Sequence, residues 1–154
     1  MESAPLCAYL IDDEPLAIER LKRLLAAFPS IQIAGAATDP LQAAEFLNGS
    51  EDIDVLFLDI QMPGMTGFEL LERLEELPQV IFTTAYNEYA IKAFEVNALD
   101  YLLKPIVPAR LAAALTRVRP PSERGRLEQV FVRDGEHCWI VRIADIFLLE
   151  TEGN

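Results

Sequence analysis

The segment Val55-Leu56-Phe57-Leu58-Asp59 is a run of four apolar residues that ends in a carboxylate. Continuous hydrophobicity over so few residues is typical of a parallel β-strand that is covered on both faces. Similar short apolar runs occupy residues 6–11 and 80–84, and the first of them is followed by Asp12 and Asp13. We therefore predict buried parallel strands that carry polar residues at their carboxyl ends.

Outward from this segment, strands and helices alternate along the chain. Strands are predicted at 6–11, 31–35, 55–58, 80–84 and 100–103, and helices at 40–48, 68–77, 87–96 and 108–118. Between the first and second strands, apolar residues at helical spacing predict one more helix, which Pro29 ends. Asp39 and Pro40 suit the N-cap and first position of the second helix. Five repeats in about 115 residues predict an α/β fold, a doubly wound parallel sheet with helices on both faces.

The alternation of strands and helices stops near residue 120. Two prolines, Pro120 and Pro121, favour a linker over residues 121–127 between a domain at 1–120 and a segment at 128–154. Three strands are predicted there, at 129–133, 138–142 and 146–149, with Asp134 and Gly135 as a hairpin turn. Three short strands alone cannot bury a hydrophobic core. We expect residues 128–154 to be the cut-off start of a β-rich domain, or a segment that docks on a neighbouring chain by strand exchange.

Composition narrows the function classes. The 154 residues include 13 Lys+Arg and 25 Asp+Glu, and 51% of them are apolar, enough for a core. The net charge of −12 argues against nucleic-acid or anionic membrane surfaces. Residues 121–154 alone carry four Arg against seven Asp+Glu. Only two cysteines occur, and no apolar run approaches the ~18 residues of a membrane span. We expect a soluble, cytoplasmic chain that does not bind a membrane.

Polar residues lie at the carboxyl ends of four of the predicted strands. Asp12 and Asp13 follow the first strand, Asp59 the third, Thr84 ends the fourth and Lys104 follows the fifth. The carboxyl ends of such strands meet at one edge of the sheet, where this architecture binds ligands. Three carboxylates in one crevice repel one another unless a cation lies among them. Hard oxygen ligands without histidine or cysteine favour Mg²⁺.

Each requirement of phosphoryl transfer has a candidate residue in this set. Asp59 is the candidate nucleophile, Asp12 and Asp13 the candidate metal ligands, and Thr84 and Lys104 the candidates for binding phosphoryl oxygens. Each residue also has an ordinary interpretation, such as a helix cap for the acids or a solvated surface lysine. Their shared position at one sheet edge favours the functional interpretation.

Several motifs resemble a known family. They are Ile11-Asp12-Asp13-Glu14-Pro15, Leu58-Asp59-Ile60-Gln61-Met62-Pro63-Gly64-Met65-Thr66-Gly67, Thr84-Ala85 and Asp100-Tyr101-Leu102-Leu103-Lys104-Pro105. In this order and spacing they resemble the receiver domain of two-component response regulators, over about residues 5–120. The segments 81–86 and 89–95 resemble the LytTR (LytR/AlgR) subfamily. The segments 132–135, 143–146 and 149–154 resemble the start of its DNA-binding domain. The implied fold is flavodoxin/CheY-like, with strand order 2-1-3-4-5.

The resemblance implies a role for each site residue. Asp59 corresponds to the phosphoacceptor, which receives its phosphoryl group from a sensor histidine kinase. Asp12 and Asp13, with Asp59 and the backbone carbonyl of Gln61, correspond to the Mg²⁺ ligands. Lys104 corresponds to the phosphoryl-binding lysine.

A second group of implications concerns the output. Thr84 and Tyr101 correspond to the switch pair, and the bond before Pro105 is expected to be cis. The surface of the fourth helix, fifth strand and fifth helix is expected to form a homodimer. Promoter DNA is expected as a partner only of the full-length protein.

Four functions could account for these residues and motifs. The leading one is a phosphorylation-dependent switch, which is a signalling module and not an enzyme. An aspartyl-phosphate hydrolase would normally need a second acid two residues after the nucleophile, where Gln61 stands. A phosphate-independent interaction module would be expected to have lost the acid pair, the nucleophile or the lysine. A chain that binds DNA as it stands is disfavoured by its acidic tail.

Overall fold

Five parallel strands form the central sheet of the computed structural model, which describes residues 5–50, 52–120, 129–134 and 137–142. The strands are β1 (Leu6–Ile11), β2 (Ile31–Ala37), β3 (Val55–Asp59), β4 (Gln79–Thr84) and β5 (Asp100–Leu103). Their order in the sheet is β2-β1-β3-β4-β5, and every pairing is parallel. The predicted α/β fold and strand order are confirmed.

Five helices connect or follow the strands. They are α1 (Pro15–Leu25), α2 (Pro40–Asn48), α3 (Gly67–Glu72), α4 (Ala90–Glu95) and α5 (Pro108–Leu115). Asp39 is the N-cap of α2, because its side chain accepts a hydrogen bond from the Leu41 N–H at 3.0 Å. Pro40 occupies the first turn of α2, as its fixed φ favours.

The sheet separates two layers of core. The side of β3 that carries Val55 and Phe57 packs with α1 and α5 residues, among them Leu21 and Leu111. The opposite side carries Leu56 and Leu58, which belong to the core formed with α2, α3 and α4. All five residues of β3 are buried. The run that decides the fold is continuously apolar because its successive side chains enter two different cores.

The third helix is shorter than predicted. It ends at Glu72, whereas the sequence pattern predicted a helix to residue 77. The side chain of Asn48, at the end of α2, donates to the Arg73 carbonyl and accepts from the Glu75 N–H, both at 2.8 Å. These bonds hold the backbone in a non-helical path, and Pro78 disfavours the helical conformation of the residue before it.

Smaller differences occur at other boundaries. Strand β2 extends to Ala37, two residues beyond the prediction, because residues 35–37 pair with residues 9–11 of β1 after a register shift. The predicted fourth helix divides into a 3₁₀ turn at Asn87–Tyr89 and α4. Helix α5 ends at Leu115, and the chain continues to Val118 in hydrogen-bonded turns.

The C-terminal segment contains an antiparallel strand pair. Strands β6 (Gln129–Asp134) and β7 (His137–Arg142) form a separate two-stranded sheet, with Asp134 opposite His137. They correspond to the first two strands predicted in this segment. The predicted third strand at 146–149, the linker at 121–127 and Gly135 of the predicted hairpin turn lie outside the described residues. The domain boundaries at 120 and 128 stay predictions.

Within the part of the chain that the structure describes, no helix has the length and apolar character needed to cross a bilayer.

Candidate functional site

Three carboxylates meet at the carboxyl edge of the sheet. Asp12 follows β1, Asp13 comes next, and Asp59 is the last residue of β3. One oxygen from each lies within 4.8 Å of the others. Asp12 and Asp59 are buried, with exposed fractions of 5% and 4%, and Asp13 is half-buried. Burial of adjacent acids is costly unless positive charge compensates it. The arrangement is therefore expected to attract a cation.

Lys104 supplies part of that positive charge. Its Nζ lies 2.5 Å from Asp12 Oδ2 and 3.6 Å from Asp59 Oδ2. Its backbone N–H donates to the Thr84 carbonyl at 2.7 Å, which joins the ends of β4 and β5. The peptide bond from Lys104 to Pro105 is cis. Lys104 is thus a partly buried member of the cluster, and the alternative of a solvated surface lysine does not apply.

The helix-cap alternative for the acids applies only in part. Glu14 is at the N-cap position of α1, but its side chain makes no capping hydrogen bond. Asp12 Oδ1 accepts from the Glu14 N–H at 2.9 Å, while Asp12 Oδ2 faces Lys104. One oxygen of Asp12 therefore orients the loop, and the other takes part in the charged cluster.

The charges of the cluster change the acidity of its members. Burial raises the pKa of Asp59 to about 7, with the charge of Asp12 as the next cause. Lys104 lowers the Asp59 pKa, whereas Asp13 raises it through charge and hydrogen bonding. Burial lowers the pKa of Lys104, but the hydrogen bond to Asp12 and the two aspartate charges raise it overall. Lys104 therefore stays protonated at neutral pH, while Asp59 titrates near pH 7.

The cluster fits Mg²⁺ by the chemistry of its donors. Three carboxylates with one ammonium leave a net charge of about −2 when all are ionised, which a divalent cation would neutralise. All the side-chain donors are oxygen atoms, which Mg²⁺ prefers. Asp12, Asp13 and Asp59 are therefore the residues that would hold the metal.

Mg²⁺ affinity is expected to depend on pH through Asp59. Below pH 7 a proton occupies this carboxyl and must leave before it can ligate a metal. The dissociation constant should therefore fall about tenfold per pH unit as pH rises toward 7, and level off above it. Calorimetric titration with MgCl₂ between pH 5.5 and 8.5 measures this. Asp59→Asn is the control and should show a much shallower profile. An equal slope in both proteins would contradict the assignment.

The loop after Asp59 is fixed by backbone contacts. The Gly67 N–H donates to the Ile60 carbonyl at 2.8 Å, and Gly64 has a positive φ of 82°. Thr66 and Glu69 form a reciprocal capping box at the start of α3. Exposed Gln61 lies within this fixed loop. The loop thus holds its position relative to the carboxylate cluster.

Gly67 provides a structural test of this loop. A Cβ on Gly67 would lie 2.6 Å from the Asp59 carbonyl oxygen, closer than real Cβ atoms approach backbone. We expect Gly67→Ala to lower the free energy of unfolding by about 2–4 kcal/mol, since the helix preference for alanine offsets only about 1 kcal/mol.

The matched control for this test is Gly49→Ala. A Cβ there meets its nearest atom at an ordinary 3.6 Å, so a change within about 1 kcal/mol is expected. Urea denaturation measures both variants. Equal stabilities of the two variants would contradict the close approach between α3 and β3.

Thr84 and Tyr101 lie on the side of the site toward β5. Thr84 is fully buried, and its Oγ1 accepts from the Tyr86 N–H at 3.3 Å. The Tyr101 hydroxyl donates to the Tyr86 carbonyl. The rings of Tyr86 and Tyr89 form an edge-to-face pair, and the Tyr89 ring also lies in a tilted pair with the ring of Phe68 of α3. One short segment after β4 therefore contacts both predicted switch residues.

Comparisons with known proteins identify the family to which the five-stranded domain is similar. Residues 8–116 match the family model described as the response regulator receiver domain. The chain is 48% identical over 115 residues to an uncharacterized response regulatory protein of Vibrio cholerae, covering 73% of this chain and 48% of the relative. It is 46% identical over 112 residues to the transcriptional regulatory protein BtsR of Escherichia coli K12, covering 71% and 46% respectively. The chain thus spans about half the length of the curated relatives it matches.

Solved structures with the same fold include two receiver domains. The response regulatory domain of mrkE from Klebsiella pneumoniae superposes with a TM-score of 0.66 at 32% identity, covering 73% of this chain and 94% of that one. The response regulator domain of Thermotoga maritima CheB gives a TM-score of 0.65 at 25% identity, covering 75% and 99%.

Proposed function

The chain belongs to the response regulator receiver domain family, and on that premise we propose that it accepts a phosphoryl group on Asp59 from a sensor histidine kinase. It would then act as a phosphorylation-dependent signalling switch of a two-component system. The observation that carries this proposal is the placement of one buried carboxylate within 4.8 Å of two others and 3.6 Å from a lysine ammonium.

The chemistry we propose is a direct displacement at phosphorus. A carboxylate oxygen of Asp59 attacks, the bond from phosphorus to the phosphohistidine nitrogen of the kinase breaks, and the electron pair leaves with the imidazole. Lys104 is close enough to Asp59 to pair with a phosphoryl oxygen, and we propose that the buried Thr84 hydroxyl donates a hydrogen bond to another. These contacts stabilise charge on the transferring group.

We propose Mg²⁺ as the cofactor, held by Asp12, Asp13, Asp59 and the backbone carbonyl of Gln61. When bound, the metal supplies neutralisation of the phosphoryl oxygens. The oxygen-only donor set and the loop fixed by Gly67 support this proposal.

The ordinary role of a receiver domain is signalling and not catalysis of turnover. An aspartyl-phosphate hydrolase would place an acid two residues after the nucleophile. That position holds Gln61, an exposed amide that cannot donate or take the proton of a leaving group. We therefore propose no hydrolase function.

For the output we propose a homodimer through α4, β5 and α5, controlled by Thr84 and Tyr101. Ile91 and Phe94 of α4 are exposed by 74% and 83%, and Leu103 of β5 by 46%. Large apolar side chains at such exposure are typical of a surface that a partner covers. The hydrogen bond from Tyr101 to the segment after β4 links this surface to the site.

We propose further that the longer protein controls transcription through a LytTR domain, for which residues 128–154 are the first strands. The name of the relative BtsR, a transcriptional regulatory protein, supports the transcriptional role, and the resemblance of the C-terminal sequence is the ground for a LytTR domain. Promoter DNA would bind only when that domain is complete. The cytoplasmic location stays a prediction.

Beryllofluoride, a phosphoryl mimic, tests the switch. With Mg²⁺ and beryllofluoride, light scattering after size exclusion should show a shift from monomer to dimer, whereas Asp59→Asn should not shift. Phe94→Asp should still bind the mimic by ¹⁹F NMR but stay monomeric, because a charge on an apolar interface is costly.

The matched control is Leu41→Asp, which places the same charge on an exposed apolar residue of α2. This variant should dimerise like the wild type. Dimerisation of Phe94→Asp with unchanged affinity would overturn the proposed surface, and absence of mimic binding by the wild type would overturn the phosphoacceptor site.

A further inference from the structure

A buried amide lies at the amino edge of the sheet, opposite the edge that carries Asp59. Gln79 is the first residue of β4 and is 7% exposed. Its Nε2 donates to the Asp54 carbonyl at 3.1 Å and to the Arg119 carbonyl at 2.8 Å. Its Oε1 accepts from the Arg119 N–H at 2.8 Å. The side chain therefore pairs with both backbone groups of Arg119, as a neighbouring strand would.

The same edge is held together by a second buried side chain. Asp54 Oδ2 accepts from the Cys7 N–H, and the Asp54 N–H donates to the Cys7 carbonyl, both at 2.8 Å. Gln79 then joins Asp54 to Arg119. These four residues, which we term the amino-edge network, connect β1, β3 and β4 with the chain beyond α5.

Arg119 is a special point along the chain. Val118 before it is buried with the α5 residues of the core, and Pro120 and Pro121 follow it. Neither proline has a backbone N–H, so Arg119 carries the last backbone donor before Ser122. A residue before proline favours extended backbone, and proline fixes its own φ. Arg119 is therefore the last residue before Ser122 whose backbone N–H can be held to the sheet.

We propose that Gln79 is a positioning residue that fixes the direction in which the chain leaves the sheet after α5. It does so by holding the Arg119 backbone to the amino edge of β3 and β4. The proposal stands apart from the phosphoacceptor assignment, because the amino-edge network lies at the opposite end of the strands from Asp59. The simpler alternative is that Gln79 only satisfies buried polar groups and stabilises the fold as a whole.

Hydrogen exchange at one backbone amide separates these two roles. Gln79→Met keeps the size of the side chain and removes all three hydrogen bonds. We expect the Arg119 amide to exchange at least about tenfold faster by NMR, with little change for buried β3 amides such as Leu56. Gln79→Asn, which is one methylene shorter, should have the same effect if Gln79→Met fails to fold.

The matched control is Asn48→Leu. Asn48 forms a similar amide pairing, with the Arg73 carbonyl and the Glu75 N–H, but on the other side of the domain core. This variant should speed exchange at Glu75 and leave Arg119 unchanged.

A distance measurement then tests direction itself. Spin labels at Glu19→Cys, on α1, and at Ser122→Cys, with both native cysteines replaced by alanine, report where the chain goes after Arg119. The distance distribution should be at least about twice as wide in Gln79→Met as in the reference or in Asn48→Leu. The proposal requires both results. An unchanged width, or acceleration at Arg119 no greater than at Leu56, would overturn it.

Discussion

The Asp59→Asn variant is expected to take up no phosphoryl group, whether the donor is a histidine kinase or a small phosphoramidate. The wild type should take up one per chain in the presence of Mg²⁺. An amide has no ionised oxygen to attack phosphorus, and it also removes one of the three charges that would bind the metal. Intact-protein mass spectrometry after a timed incubation measures the uptake.

The control is Asp39→Asn, the same chemical change at an acid that caps α2. Asparagine caps helices as well as aspartate does, so the fold should be unaffected. This variant should be phosphorylated at the wild-type rate. Persistent uptake by Asp59→Asn would mean that another group accepts the phosphoryl group.

The Lys104→Met variant should separate metal binding from phosphoryl transfer. Removing the ammonium eliminates a positive charge 2.5 Å from Asp12 and 3.6 Å from Asp59, so Mg²⁺ should bind more tightly, by at least about tenfold. Phosphorylation should nevertheless slow by about 10²-fold, because the transferring group loses a preorganised cation. Few other substitutions would shift the two quantities in opposite directions.

Lys104→Met is also expected to change the pH dependence of Mg²⁺ binding, through the pKa of Asp59. Lys104 lowers the pKa of Asp59, so its loss moves that pKa above about 7. The pH midpoint for Mg²⁺ binding should therefore rise in Lys104→Met, and affinities should be compared near pH 8.5, where Asp59 is largely ionised. Lys22→Met removes an exposed lysine of α1 and serves as the control. Weaker Mg²⁺ binding at high pH in Lys104→Met would contradict the charge balance of the cluster.

Much of the fold follows from the local sequence pattern. The apolar run of β3 and the Asp39-Pro40 start of α2 depend on short-range rules, and the structure agrees with both. The end of α3 follows from them only in part, because Pro78 disfavours helical backbone at the residue before it but does not explain an end at Glu72. It depends on the Asn48 side chain, which comes from another helix 25 residues earlier in the chain. No pattern within residues 67–77 carries that information.

The site shows the same division. The sequence places Asp12, Asp59 and Lys104 at one sheet edge, since strand ends converge whatever the details. It does not predict that Lys104 lies closer to Asp12 than to Asp59. That difference depends on side-chain conformations in the folded protein, and Lys104 and Asp12 are 92 positions apart in the sequence. The Tyr86 carbonyl as partner of Tyr101 was likewise not predicted, since a backbone acceptor leaves no mark in the sequence.

Gln79 is a further residue that sequence reasoning missed. A glutamine before an apolar run resembles the polar boundary of a strand, and nothing nearby indicates that it is buried. Its burial becomes apparent only once Asp54 and Arg119 are seen on either side of it.

The measurement that tests the central claim most directly is mapping of the modified residue in the wild-type chain. After incubation with a phosphoramidate donor and Mg²⁺, borohydride reduces an aspartyl phosphate to homoserine, and peptide mass spectrometry locates it. We predict homoserine at position 59 alone, and none when EDTA replaces Mg²⁺. Homoserine at position 12 or 13, or no homoserine at all, would contradict the assignment of Asp59 as the phosphoacceptor.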